Sequence, residues 1–189
     1  MTELKALGIA CSPRPGGNSD ELLRRALSLL EERGFSTTFV ALRDLRIEHC
    51  RSCRKCVLRG KCVIDDDMHL LATELLSSHV VLISTPVHFD NVSSLAKTFM
   101  DRTWWLRGKL RYRVGGAIVV GRGYGLDTAI SVIHSFMLKH GMVICHRGVR
   151  CVAFEKGEAL RDSKALKDLE DLIESISYVA RALWARNGV

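Results

Sequence analysis

The chain has 189 residues, of which 47% are apolar and 26% charged, with a formal net charge of +7. This is enough chain for one domain with a real core. The composition excludes a disordered or fibrous protein, and no apolar run approaches a membrane span. The positive balance favours anionic partners such as phosphates and nucleotides, without choosing among them.

Residues 4–11 (LKALGIAC) are a short apolar run that predicts a first strand, followed by the polar loop SPRPGGNS. From Asp20, Leu22, Leu23, Ala26, Leu27, Leu29 and Leu30 recur at helical spacing until Gly34 stops the pattern. Residues 35–41 (FSTTFVA) read as a second strand. A cysteine-rich stretch fills roughly 44–66, too long for a plain connection. Asp65, Asp66 and Asp67 offer N-capping oxygens for a helix to about Ser78. Residues 80–85 (VVLIST) predict a buried third strand, then the loop PVHFDNVS and a helix at about 94–103. Residues 115–120 (GGAIVV) predict a fourth strand, followed by GRGYG and a helix at about 126–140. A fifth strand is placed at 142–154 with a bend at Gly148, and an amphipathic helix at about 163–186 follows a polar linker.

Strands alternating with helices argue an α/β fold with a parallel sheet covered on both faces. The expectation is a flavodoxin-like, doubly wound, five-stranded parallel sheet, with a cysteine-rich loop insertion after strand two. A single domain is expected over 1–189, with the insertion at 44–66. Ligands of that fold sit at the carboxyl ends of strands one and three, where the strand order reverses. The loops richest in Gly, Ser and Asn leave strands one, three and four, so they converge there.

The first of these loops carries hydroxyls, a guanidinium and free backbone N–H groups into a helix N-terminus, the makings of a phosphate cradle. Neither a Walker GK[ST] nor a G-x-G-x-x-G fingerprint is present. The plainer reading is a polar turn that caps a helix.

Cys50, Cys53, Cys56 and Cys62 fall within thirteen residues as C-x2-C-x2-C-x5-C. Residues 1–15 lack the layout of a signal peptide, so a reducing, cytoplasmic setting is expected. There, seven cysteines read as ligands or buried thiols rather than disulfides. Three cysteines at successive x2 gaps suit a cubane corner better than a tetrahedral zinc site, with Cys62 as the fourth ligand of a [4Fe-4S] cluster. Zinc and a metal-free loop remain alternatives. Arg51, Arg54, Lys55, Arg59 and Lys61 interleave these thiols, and positive charge there raises a cluster's reduction potential or simply forms a solvated face. Cys11, Cys145 and Cys151 lie in apolar runs and read as buried small hydrophobes. Trp104 and Trp105 are assigned to packing for at least one of the pair, and to an interface or pocket for the other.

S-P-R-x-x-G-N-S, then C-x2-C-x2-C…G-x-C-x3-D-D-M, then T-P-V-x-F-x-N-V-S in that order resemble the NAD(P)H-dependent FMN reductase family, and within it the iron-sulfur flavoproteins. The stretch from Ser84 through Asp101-Arg102 carries much of the match. The resemblance implies non-covalent FMN. It assigns the phosphate to Ser12, Arg14, Asn18 and Ser19. It lays Pro86, Val87, His88, Phe89 and Asn91 against the isoalloxazine ring, and closes the other side with Gly121, Arg122, Gly123, Tyr124 and Gly125. His88 stands where an aromatic residue is usual. Asp90 stands where Gly is usual, and Gly takes a positive φ more cheaply. Family members without a cluster share parts of the cysteine segment, which keeps the metal-free alternative open.

The implied activity is that of a flavin-dependent oxidoreductase passing electrons between FMN and a [4Fe-4S] cluster, with no side-chain nucleophile or acid-base dyad. The expected redox donor is a ferredoxin or NAD(P)H. The resemblance further implies a homodimer or homotetramer in which the cysteine loop approaches a neighbouring subunit's FMN. Neither a membrane nor nucleic acid is expected as a partner. A cluster-free NAD(P)H-dependent FMN or quinone reductase is one competing reading. A basic nucleic-acid module with a zinc-like knuckle is the other, opposed by scattered Lys and Arg and an aromatic content of 6%.

Overall fold

The computed structural model describes residues 3–184. Strand β1 (Lys5–Ala10) leads to helix α1 (Asn18–Glu31), β2 (Ser36–Ala41), the short α2 (Lys55–Arg59) and α3 (Met68–Ser77). Then come β3 (Val80–His88), β4 (Asn91–Val92), α4 (Ser94–Arg102), β5 (Val114–Gly121) and α5 (Leu126–Lys139). The order closes with β6 (Val143–Ile144), β7 (Val149–Val152) and α6 (Ser163–Trp184). The helix expected to about 186 thus reaches Trp184, and residues 185–186 lie outside the described residues.

The sheet order is β2-β1-β3-β5-β6, and these pairs are all parallel. Apolar residues in β1, β3 and β5 are buried on both faces, as a covered parallel sheet requires. Helices α1 and α6 cover one face through Leu22, Leu23, Leu30, Leu169, Leu172 and Ile176. Helices α3, α4 and α5 cover the other through Met68, Leu71, Phe99, Ile130, Ile133 and Met137.

The sheet has seven strands rather than the expected five. The predicted fifth strand is two pieces, because Gly148 takes φ 91° and breaks the run. Both pieces pair with β5, β6 near its start and β7 near its end. The other extra strand, β4, folds back antiparallel on the tip of β3, pairing His88 with Asn91. Phe89 and Asp90 between them have φ 47° and 59°, so both turn residues are left-handed, as a two-residue primed hairpin turn needs. Asp90 therefore makes the turn without glycine.

Helix α3 begins at Met68 after Asp67, whose side chain caps nothing in the helix and instead accepts from the Arg46 N–H at 2.7 Å. The carboxylate that serves the helix is Asp66, which accepts from the Met68 N–H at 3.2 Å.

Candidate functional site

A cavity of about 420 Å³ opens at the carboxyl ends of β1, β3 and β5. This is the place where the strand order reverses. Eleven of the fourteen non-cysteine candidates line it: Ser12, Arg14, Asn18, Ser19, Pro86, Val87, His88, Phe89, Gly121, Arg122 and Tyr124. Asn91, Gly123 and Gly125 do not line it; they shape its loops. Asn91 Oδ1 accepts from the Val92 N–H at 2.8 Å. A Cβ on Gly125, at φ 67°, would lie 2.6 Å from the Asp90 backbone, so only glycine lets the β5–α5 loop close on the hairpin.

The first loop is held by its own side chains. Ser12 Oγ accepts from the Arg14 N–H at 3.1 Å, and Asp20 Oδ2 accepts from the Gly16 N–H at 3.0 Å. Asp20 is buried and paired with Arg43 at 2.9 Å, and Arg43 also donates to the Ser12 carbonyl at 3.2 Å. The N-terminus of α1, preceded by extended Gly17, faces the same loop. Its first N–H groups have no partner within the helix, which suits an anion. Ser84 Oγ donates to the Ser19 carbonyl at 2.7 Å, and Ser93 Oγ donates to the Cys11 carbonyl at 2.6 Å. The loop is therefore preformed.

Asn18, which the resemblance assigns to the phosphate, lines the cavity, and its side chain is engaged by a second loop. Its Nδ2 donates to the Glu155 carbonyl at 2.8 Å, and its Oδ1 accepts from the Gly157 and Ala159 N–H groups at 2.9 and 3.3 Å. The side chain clamps the loop after β7 onto the first loop, leaving its backbone N–H for an anion. Sequence reasoning treated that second loop as a polar linker. It brings Lys156 Nζ within 3.3 Å of where a Gly16 Cβ would sit, a second cation beside Arg14. It also brings Phe154 into the cavity wall, with the Arg122 guanidinium 4.3 Å above its ring. Asp20, Arg43, Lys156 and Phe154 carry no motif. The only signal for Phe154 was its place at the carboxyl end of the last strand.

The cysteine segment lies apart from this cavity, and no residue of 44–66 lines it. Cys50 and Cys53 are exposed, and Cys56 and Cys62 are half-buried. Ser52 and Arg54 have φ 51° and 56°, so each C-x2-C spacer turns through a left-handed residue. Burial pushes the Cys56 thiol up, and the nearby charges of Cys62, Cys50 and Cys53 push it further, so all three neighbours act on it. Among the described residues, no group of three or more His, Cys, Asp or Glu is gathered at metal-holding distances. The donor set still fits an iron-sulfur cluster in kind: four thiols on one short segment, with cationic residues between them in the sequence.

Beneath the segment is a fully buried ion pair that sequence reasoning missed. Arg102 Nη1 donates to Asp66 Oδ2 at 2.6 Å and Nη2 to Asp66 Oδ1 at 2.9 Å. Burial raises the Asp66 carboxyl, but hydrogen bonds from Arg102 and from the Glu48 and Met68 N–H groups outweigh it and hold the group below the ordinary range.

Of the remaining cysteines, Cys11 and Cys151 are buried as expected, whereas Cys145 is only half-buried. Burial, aided by Asp162, pushes the Cys151 thiol up to about 12. Cys11 and Cys151 pack as small apolar groups in the core. Trp105 packs near His69, while Trp104 is about half exposed.

Comparison with known proteins agrees with this geometry. The family model described as NADPH-dependent FMN reductase matches residues 4–156. An iron-sulfur flavoprotein of Methanocaldococcus jannaschii is 34% identical over 95% of this chain and 99% of its own length. One from Methanosarcina thermophila is 34% identical over 75% of this chain and 76% of its own. Among solved structures, RosB with bound 8-demethyl-8-formylriboflavin-5'-phosphate superposes with a TM-score of 0.82 at 18% identity, covering 97% of this chain and 81% of that one. A flavodoxin from the Archaea gives a TM-score of 0.62 at 13% identity, covering 94% and 99%. At these identities the structures establish the fold alone.

Proposed function

The chain belongs to the NADPH-dependent FMN reductase family, and within it to the iron-sulfur flavoproteins; from that premise we propose that it holds FMN in the cavity at the sheet's carboxyl edge and moves electrons between FMN and a [4Fe-4S] cluster. Membership in this family makes the chain a flavin-dependent oxidoreductase. The electron-transfer reading is carried by one observation: four cysteines at cubane spacing in a chain that also has a preformed anion loop over a cavity of about 420 Å³.

When bound, FMN exchanges two electrons as a hydride, whereas a cubane exchanges them singly. The protein's own groups then do the rest. Arg14, the α1 N-terminus and Lys156 bind the phosphate. Pro86, Val87 and the hairpin tip support the ring on one side, and the Gly121–Gly125 loop closes the other. Cys50, Cys53, Cys56 and Cys62 hold the iron, and Arg51, Arg54, Lys55, Arg59 and Lys61 favour its reduced form.

Because the cysteine segment lines no part of the cavity in its own chain, the electron path runs to a second subunit of a homodimer or homotetramer. The external donor is a ferredoxin or NAD(P)H.

The test is a cysteine series. Each of Cys50→Ala, Cys53→Ala, Cys56→Ala and Cys62→Ala is expected to lose iron while FMN stays bound. Replacing Cys11, Cys145 or Cys151 is expected to leave iron unchanged. Iron loss confined to the second set overturns the ligand assignment.

A further inference from the structure

Arg102 ends α4 and is among the largest fully buried side chains, at 1% exposure. Its position is defined by the cysteine segment. Nη1 donates to the Glu48 carbonyl and to Asp66 Oδ2, both at 2.6 Å, and Nη2 donates to Asp66 Oδ1. The same carboxylate accepts from the Glu48 N–H at 2.9 Å. Residues 48 and 66 flank the run from Cys50 to Cys62, so one guanidinium gathers both ends of the segment.

An ion pair of this kind uses only the two Nη groups. Nε remains, and it is buried with no hydrogen-bond partner among the described residues. A buried guanidinium N–H without an acceptor is costly and rare. The half-buried sulfur nearest in sequence to the Asp66 carboxylate is that of Cys62, four residues before Asp66 on the end of the segment that the guanidinium holds.

We propose that Arg102 is the positioning residue of the cysteine segment: it closes residues 48 and 66 onto one buried guanidinium and gives its remaining donor, Nε, to the sulfur of Cys62 when that sulfur serves as a cluster ligand. The inference rests on the cluster reading. A hydrogen bond and a positive charge at a ligand sulfur favour the more negative, reduced state, so Arg102 holds the reduction potential up. The cations between the cysteines are exposed, whereas Arg102 is buried.

The experiment compares the full-length wild type with Arg102→Lys and Asp66→Asn. Three quantities are read: iron per chain, the cluster midpoint potential by spectroelectrochemistry, and the alkylation rate of Cys62 relative to Cys50 in the iron-free chain. Arg102→Lys keeps a charge and loses Nε and the fork. It is expected to shift the midpoint to more negative values and to alkylate Cys62 several-fold faster. Asp66→Asn loosens the closure, spares Nε and leaves the guanidinium uncompensated, so it is expected to free iron more readily with the midpoint at or above wild type, opposite in sign to Arg102→Lys. Equal midpoints in the wild type and Arg102→Lys, with unchanged Cys62 alkylation, overturn the proposal. So does an equal midpoint shift in both variants, because closure alone then accounts for the effect. A wild-type chain that never takes up iron sinks the cluster reading instead, and the alkylation ratio still judges the Arg102–Cys62 contact.

Discussion

At the scale of residues, the buried Asp66–Arg102 pair is the most consequential feature that the sequence concealed. An arginine closing a helix reads as a partner for the helix dipole, and a triple aspartate reads as a capping cluster. Neither pattern announces a pair 36 residues apart with both side chains fully buried. Removing one partner leaves an uncompensated charge, so Asp66→Asn is expected to lower stability by about 3–5 kcal/mol, measured by urea unfolding. The pH dependence follows from the direction of the shift. The folded Asp66 carboxyl lies below its unfolded value of about 3.9, so its contribution is intact above that pH and disappears as the pH falls through the folded value. Asn18 was legible as a member of the phosphate loop, but its side-chain role was not, because its partners lie 137 or more residues away. Asn18→Ala removes three hydrogen bonds between the two loops, at about 0.5–1.5 kcal/mol each. The expected outcome is a lower melting temperature together with faster FMN loss on dialysis.

At the scale of elements, the strands and helices of the doubly wound core follow from buried apolar runs and from leucines at helical spacing. The two departures arise at positive-φ residues. Gly148 divides the last strand, and the pair Phe89–Asp90 turns the end of β3 into a hairpin. A run such as TPVHFDNVS has no glycine to mark that turn. Asp tolerates the left-handed region less well than Gly. Asp90→Gly is therefore expected to be neutral or stabilising by up to about 1 kcal/mol. Gly125→Ala meets the opposite fate, since a Cβ there would press on the Asp90 backbone at 2.6 Å. Its expected signature is a lower melting temperature and weaker FMN binding, followed by flavin fluorescence. The cysteine segment leaves β2, the edge strand, and lines no part of its own cavity. Hybrids between a Cys53→Ala chain and an Arg14→Ala/Asn18→Ala chain are therefore expected to regain flavin-to-cluster reduction. Inactive hybrids with each centre shown to be loaded would rule out the cross-subunit path.

At the scale of the whole molecule, burial lowers the proton affinity of His79, His134, His140 and His146. Each is held neutral in the fold and takes up a proton more readily when unfolded. Their contribution is present above the unfolded value of about 6.5 and is lost as the pH falls through the lower folded values. The melting temperature is expected to fall between pH 7.5 and pH 5, ahead of any carboxylate effect. The described residues contain no helix long and apolar enough to cross a membrane. The central claim is that one chain carries both a flavin and a cubane, and the direct measurement is iron, acid-labile sulfide and flavin per chain in anaerobically purified protein. The account predicts about one FMN with about four iron and about four sulfide. FMN at full occupancy with neither iron nor sulfide, or zinc in their place, would contradict it.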